Sequence, residues 1–175
     1  MRHILLILVS ITLSYPSLWS DIRNLNPQQK TIMDKTFTKA KSFDYEYTLT
    51  AIAWHESYFG KYPLNLADPS AGVFHNSLTT VLNRNNLTQS DWSRSRVAER
   101  LITDYDFSFS QALAELKYWE NYWKDKGVDR VWSHTVASYN AGFNIKNGQS
   151  YLRAIKEKVR ILRQLRRTQW HQLEE

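Results

Sequence analysis

One carboxylate stands apart in this sequence: Glu56, in the run Ala51-Ile52-Ala53-Trp54-His55-Glu56-Ser57. Read as a helix, the run places Leu49, Ile52, Ala53 and Glu56 at i, i+3, i+4 and i+7, so the acid falls on the apolar stripe. An acid there loses hydration, which disfavours its charged form and keeps a proton available for donation near neutral pH. A plainer reading also fits: Glu56 ends its helix, turns outward at the Ser57-Tyr58-Phe59-Gly60 exit and has no chemical task. No thiol competes for a catalytic role, because the chain has no cysteine. That excludes disulfides, cysteine nucleophiles and iron–sulfur clusters. The five histidines (3, 55, 75, 134 and 171) are scattered, with no Cys/His spacing of a zinc site, so neither a metal nor a cofactor is indicated.

The elements that must position Glu56 read as helices. Asn26-Pro27 is a cap followed by proline at the first helical position, opening a helix to about Lys41 that buries Ile32, Met33 and Phe37. Asp44 is suited to cap the next helix, about 45–58, which carries Glu56. Residues 59–76 read as a loop, broken by Gly60, Pro63, Asp68-Pro69 and Gly72. A loop of that length is uncommon in a compact domain unless it has a task. Further helices are expected over 77–83, over 91–103 with Val97, Leu101 and Ile102 inward, and from Ser108 or Ser110 to Lys126 with Gly127 as C-cap. Two more follow, from Asp129 to Asn140 and over 150–170, the last with Leu152, Ile155, Val159 and Leu162 on one stripe. Asp104 and Asp106 read as turn and cap residues. The expectation is a single all-α domain.

Length, at 175 residues, allows one domain with a proper core. Residues 1–20 read as a secretory leader: Arg2 and His3, an apolar run from Ile4 to Leu13, then Tyr15-Pro16 and a small residue, Ser20, suited to cleavage. The run is too short to span a bilayer comfortably; an uncleaved anchor or a buried first helix are the other readings. Residues 21–175 would then be the exported domain. Net charge is +6, and removing the leader takes away only Arg2. The excess lies at the end, where Lys146, Arg153, Lys156, Lys158, Arg160, Arg163, Arg166 and Arg167 face Glu157 alone before Glu174. Such a helix can contact an anionic polymer or membrane surface, or simply be a solvated face; export argues against nucleic acid. Seven Trp and ten Tyr suit a groove for pyranose rings as well as they suit core packing.

Three segments in register give the chain a family resemblance. Glu56-Ser57, Gly72-Val73-Phe74-His75 and Ser138-Tyr139-Asn140-Ala141-Gly142 resemble the Glu-Ser, Gly-Leu-Met/Phe-Gln and Ala-Tyr-Asn-Ala-Gly elements of the soluble lytic transglycosylases. These lysozyme-like enzymes (goose-type, or SLT-type) cleave bacterial peptidoglycan. Phe109 to Tyr118 is similar to the helix before the third element, and Tyr151-Leu152 to the start of a late one. The resemblance covers roughly residues 44–160. It implies a lysozyme-like helical domain with a substrate cleft, exported to the periplasm and acting as a monomer on peptidoglycan glycan strands.

By that resemblance Glu56 is the sole catalytic acid and base at the bond between N-acetylmuramic acid and N-acetylglucosamine, leaving a 1,6-anhydro product. Ser57 would orient it or touch an acetamido group, Tyr139 would place a hydroxyl near it, and Asn140 would brace the site or bind sugar. Gly72 would let the loop backbone approach the saccharide, with Phe74 in the groove wall and His75 binding substrate. The departures are His75 for glutamine, Phe74 for methionine and Ser138 for alanine. A second carboxylate in the cleft, Asp68, would change the reaction to a hydrolysis by a muramidase or endolysin, although Asp68-Pro69 is equally a turn former. A non-catalytic peptidoglycan-binding scaffold of an envelope assembly is the alternative from another class. The biological role stays open between a secretion-system or flagellar assembly, wall turnover and phage lysis.

Overall fold

Helix α3, Glu46–Ser57, is buried on nearly every side, and the other elements are arranged around it. The computed structural model describes residues 18–168. In chain order these form α1 (Leu18–Arg23), α2 (Pro27–Ala40), a 3-10 turn (Lys41–Phe43), α3, three short strands β1 (Leu64–Asn65), β2 (Ser70–Ala71) and β3 (Asn76–Ser77), then α4 (Leu78–Arg84), α5 (Asp91–Thr103), α6 (Tyr105–Asp125), α7 (Val131–Ala141) and α8 (Gln149–Thr168). Residues 1–17 of the expected leader, and 169–175, lie outside the described residues; 18–20 belong to α1. Among the described residues no helix is long and apolar enough to cross a membrane.

The helix-rich expectation holds, with one correction to the all-α class. The segment expected as a plain loop carries a three-stranded antiparallel sheet in the order β1-β2-β3. Its registers pair Leu64 with Ala71, Asn65 with Ser70, Ser70 with Ser77 and Ala71 with Asn76. Two-residue strands are too short to show a period-two pattern, so only the breakers around them are legible in the sequence.

Local chemistry explains most boundaries. Asn26 and Gln29 form a reciprocal capping box at the start of α2, which satisfies two orphan backbone donors. Gln29 also reaches across to donate to the Tyr58 carbonyl at 2.9 Å, tying the start of α2 to the exit of α3. Asp104, expected as a cap, accepts from the Phe107 N–H and starts α6 at Tyr105, earlier than the serines suggested. Asp44 does not cap α3: it sits in the left-handed conformation after the 3-10 turn, and Tyr45 precedes the helix without a side-chain cap bond. Ile102, expected inward, is exposed.

Packing divides the molecule into two unequal parts. In the larger, α3 lies against α2 and α8, and α7 joins α6 to α8. Leu49, Ile52 and the small Ala51 and Ala53 are fully buried, and each buried Leu or Ile contributes about 1.5–3 kcal/mol. The sequence stripe was thus one side of a helix that is buried almost all round. A smaller cluster of Ala71, Leu78, Val81, Leu82, Val97 and Leu101 joins β2, α4 and α5. The cleft described below runs between the two parts.

The joint between α7 and α8 is backbone on backbone. A Cβ at Gly148 would collide with the main chain of Ala137, so glycine allows α8 to enter beside α7 and places Tyr151 near the end of α3. Gly148→Ala is expected to lower stability by about 1–3 kcal/mol through overpacking, read as a reduced urea midpoint with an unchanged slope.

Candidate active site

The last turn of α3 carries Glu56 into the cleft, where its side chain is 17% exposed. Tyr151, in the first turn of α8, donates its hydroxyl hydrogen to Glu56 Oε1 at 2.6 Å, across 95 residues of chain. Glu56 Oε2 lies 3.4 Å from Nδ1 of His75. The other imidazole nitrogen, Nε2, is 2.8 Å from the Tyr62 carbonyl. Burial works against a charged His75. The hydrogen bond with Glu56, the bond to the Tyr62 carbonyl and the Glu56 charge outweigh it and hold His75 above its ordinary 6.5.

The exit of α3 is held by Ser57. Its buried hydroxyl donates to the Val73 carbonyl at 2.6 Å and accepts from the Gly60 N–H at 2.7 Å. Its hydroxyl is therefore committed to the scaffold, and the Glu-Ser pair couples an acid to a structural clamp. The turn it braces holds Tyr58, Phe59 and Gly60 in succession at positive φ, a strained geometry for the two aromatic residues that surrounding contacts must enforce. Tyr58 is anchored further by its hydroxyl, which donates to the Asp21 carbonyl.

The second element forms a turn in which the His75 N–H donates to the Gly72 carbonyl. Gly72 has φ +83°, and a Cβ there would lie 2.5 Å from the Leu101 carbonyl oxygen and from Ser108 Oγ. Its glycine is required by packing under α5 and α6, not by approach of a saccharide. Phe74 is likewise corrected: it is fully buried against Tyr105 and Phe109 and forms no groove wall. These two core residues turn His75, at φ +43°, toward Glu56.

In the third element, Tyr139 stacks on Tyr151 with ring centroids 6.4 Å apart, but its hydroxyl donates to the Phe74 carbonyl at 3.0 Å. The hydroxyl expected of Tyr139 is supplied to Glu56 by Tyr151. Burial first, then the Glu56 charge, holds both phenols well above the ordinary 10, so both remain donors. Asn140 is exposed and lines the cleft beside Gly142.

The cleft has a volume of about 290 Å³, and Asp68 lines it together with Glu56. Asp68 lies in an exposed turn where Asn65 Oδ1 accepts from the Ala67 and Asp68 N–H groups, so it is both a turn residue and a cleft residue. The far wall is built by Arg84, Glu115 and Trp119, none of them among the expected site residues. Arg84 of α4 donates to Glu115 of α6 and to the Gln111 carbonyl, and Trp119 donates its indole N–H to the other Glu115 oxygen at 2.6 Å. Phe143, which follows the lining residue Gly142, is 63% exposed and stands edge-on to Trp119 and Tyr122. The i, i+4 pair Glu115 and Trp119 was the one available signal for this wall; its partner Arg84 came from a distant helix. Among the described residues no three His, Asp or Glu side chains converge as metal ligands.

The chain is similar to a protein of Enterobacteria phage T4 described as "Uncharacterized 20.7 kDa protein in vs-regB intergenic region", at 31% identity over 119 residues. The alignment covers 66% of this chain and 61% of that protein, so the chain spans about three-fifths of the length of its relative. No protein-family model matches, and no solved structure matches.

Two outcomes follow from this geometry. Ser57→Ala leaves the Val73 carbonyl and Gly60 N–H without their buried partner and is expected to cost about 1–3 kcal/mol, measured by denaturant unfolding. For His75, a native value raised above the unfolded one stabilises the fold fully at pH below 6.5, and that stability is lost as pH rises through the native value. The stability difference between wild type and His75→Gln should therefore be larger at about pH 5.5 than at about pH 8.5 in paired urea titrations.

Proposed function

We propose that the protein is a peptidoglycan lytic transglycosylase that cleaves the β-1,4 bond between N-acetylmuramic acid and N-acetylglucosamine, with Glu56 as general acid and then base. The observation that carries this reading is the Glu56 carboxylate, held by the Tyr151 hydroxyl in a cleft between the two packed parts, with the Ser138–Gly142 segment along its edge. The three sequence elements of the family resemblance all meet around that acid. A protonated Glu56 gives its proton to the glycosidic oxygen as the bond to C1 breaks with oxocarbenium character. The muramoyl C6 hydroxyl then attacks C1 and returns its proton to the carboxylate, closing the 1,6-anhydro ring without water. Tyr151 fixes Glu56 Oε1, leaving Oε2 for proton transfer.

The cleft wall suits a sugar chain. Polar Asn140, Ser138, Ser70 and Asn76 line it, and the Trp119–Phe143 edge offers an aromatic surface for a pyranose ring. In this reading the enzyme works in the periplasm, delivered by the leader expected at residues 1–20, as a monomer on glycan strands. The basic face of α8, with Lys156, Arg160, Arg163 and Arg167 along one groove, suits contact with an anionic wall polymer or envelope surface.

One observation favours a second reading. Asp68 lines the same cavity as Glu56, so a water between the two carboxylates could be activated for inverting hydrolysis. Product mass separates the readings: anhydromuropeptides are lighter by one water than muramidase products. Glu56→Gln is expected to lower muropeptide release from sacculi by at least about 10²-fold. Full retention of activity would end the mechanism, and binding of sacculi without any soluble product would assign the protein to a non-catalytic scaffold.

A further inference from the structure

We propose that His75 is the proton store of this site: its Nδ1 and Glu56 Oε2 hold a single proton between them, which the reaction borrows and returns. The mechanistic half of this inference rests on the glycan-cleaving function proposed above; the shared proton itself rests on geometry alone. The Tyr62 carbonyl can only accept, so His75 Nε2, 2.8 Å away, carries a hydrogen. The tautomer is thereby fixed, and the remaining nitrogen, Nδ1, faces the carboxylate at 3.4 Å. Two bare lone pairs would repel at that contact. One proton makes it attractive in either of two forms, imidazolium with carboxylate or neutral imidazole with carboxylic acid.

The backbone commits His75 to this position. It occupies φ +43°, an uncommon conformation for a residue with a side chain, and its turn is pinned beneath by Gly72, Ser57 and Phe74. Its ring side chain is only 10% exposed, so substrate entering the cleft removes little more than the last water. Drying disfavours the charge-separated form and moves the proton from Nδ1 to Oε2. Oε2 then gives it to the glycosidic oxygen, and the C6 hydroxyl proton later replaces it. The pair begins and ends with one proton, matching a transglycosylation that consumes no net acid. His75 acts through Glu56 and is a positioning residue, not one that touches the sugar.

Other charged groups face this pair, and each enters the pH behaviour. His55 adjoins Glu56 on α3, its ring edge-on to Tyr151. Burial, Lys158 of α8 and His75 lower its proton affinity, against a raising effect of Glu56. Asp68 approaches from the loop, and Tyr139 and Tyr151 from α7 and α8 remain protonated. Across the cavity, Arg84 and Glu115 are bonded to each other.

The test has two independent arms on the full chain. In the first, nitrogen-detected NMR follows His75 through a pH titration in wild type and Glu56→Gln, with His55 identified by its own His55→Asn variant. The expected result is an Nε2–H tautomer in wild type and a His75 titration that moves to lower pH in Glu56→Gln. An Nδ1–H tautomer, or a titration unmoved by Glu56→Gln, overturns the shared proton. In the second arm, kcat/KM on sacculi is profiled against pH for wild type and His75→Gln, which carries the glutamine seen in the resembling family. Without the store the reacting proton has one holder in place of two, so the alkaline limb should move to lower pH and the loss should grow with pH. A uniform loss at every pH overturns the proposal in favour of a structural role. If no glycan is cleaved but the NMR coupling is present, the proposed function fails and the shared proton stands; cleavage without coupling gives the converse.

Discussion

Two hydrogen bonds of one buried hydroxyl hold the centre of this molecule together. Ser57 receives the Gly60 N–H and donates to the Val73 carbonyl, joining the exit of α3 to the turn that carries His75. Without that clamp, three successive residues at positive φ would have little reason to stay in a strained turn, and the chain leaving α3 would not return across its own end. Glu56 precedes the clamp and His75 lies two residues after Val73. One interaction thus sets the separation of the acid and its nitrogen partner. The Gln29 bond to the Tyr58 carbonyl and the Tyr58 bond to Asp21 hold the same turn from its other side.

The cleft is also a problem in charge balance. Three carboxylates line it, Glu56, Asp68 and Glu115, and they are handled differently. Glu115 is satisfied on both oxygens, by Arg84 and by the Trp119 indole. That bracket joins α4 to α6 and makes the small part of the molecule a fixed wall. Asp68 stands in an exposed turn, where water carries most of the cost of its charge. Glu56 alone has a partner that can change protonation state near neutral pH. A histidine there leaves the charge of the pair adjustable, whereas an arginine would hold the carboxylate permanently charged.

The two aromatic rings beneath the acid show how packing and chemistry are shared between residues. Tyr139 and Tyr151 stack, yet only Tyr151 reaches Glu56, while Tyr139 spends its hydroxyl on the Phe74 carbonyl. Tyr151 sets the acid and Tyr139 sets the turn behind it. Gly148 permits this division by letting α8 start against the backbone of α7.

How much of this was legible depends on the range over which each interaction acts. Helix positions, the Asn26 cap and the burial of Leu49, Ile52 and Ala53 follow from local propensity and periodicity, and those are properties of neighbouring residues. The sequence by itself also brought Glu56, His75, Asp68, Tyr139 and Asn140 forward, because their types and order formed a pattern. It could not assign their contacts. Ser57 and Gly72 belong to the scaffold, Phe74 to the core, and the hydroxyl on Glu56 comes from Tyr151, because each outcome depends on which backbones meet and at what angle. The Arg84–Glu115 wall and the two-residue strands leave no local pattern for the same reason. A hydrogen bond between residues 95 positions apart leaves no periodic trace in the chain, and only the tertiary packing of α3, α7 and α8 decides that it forms.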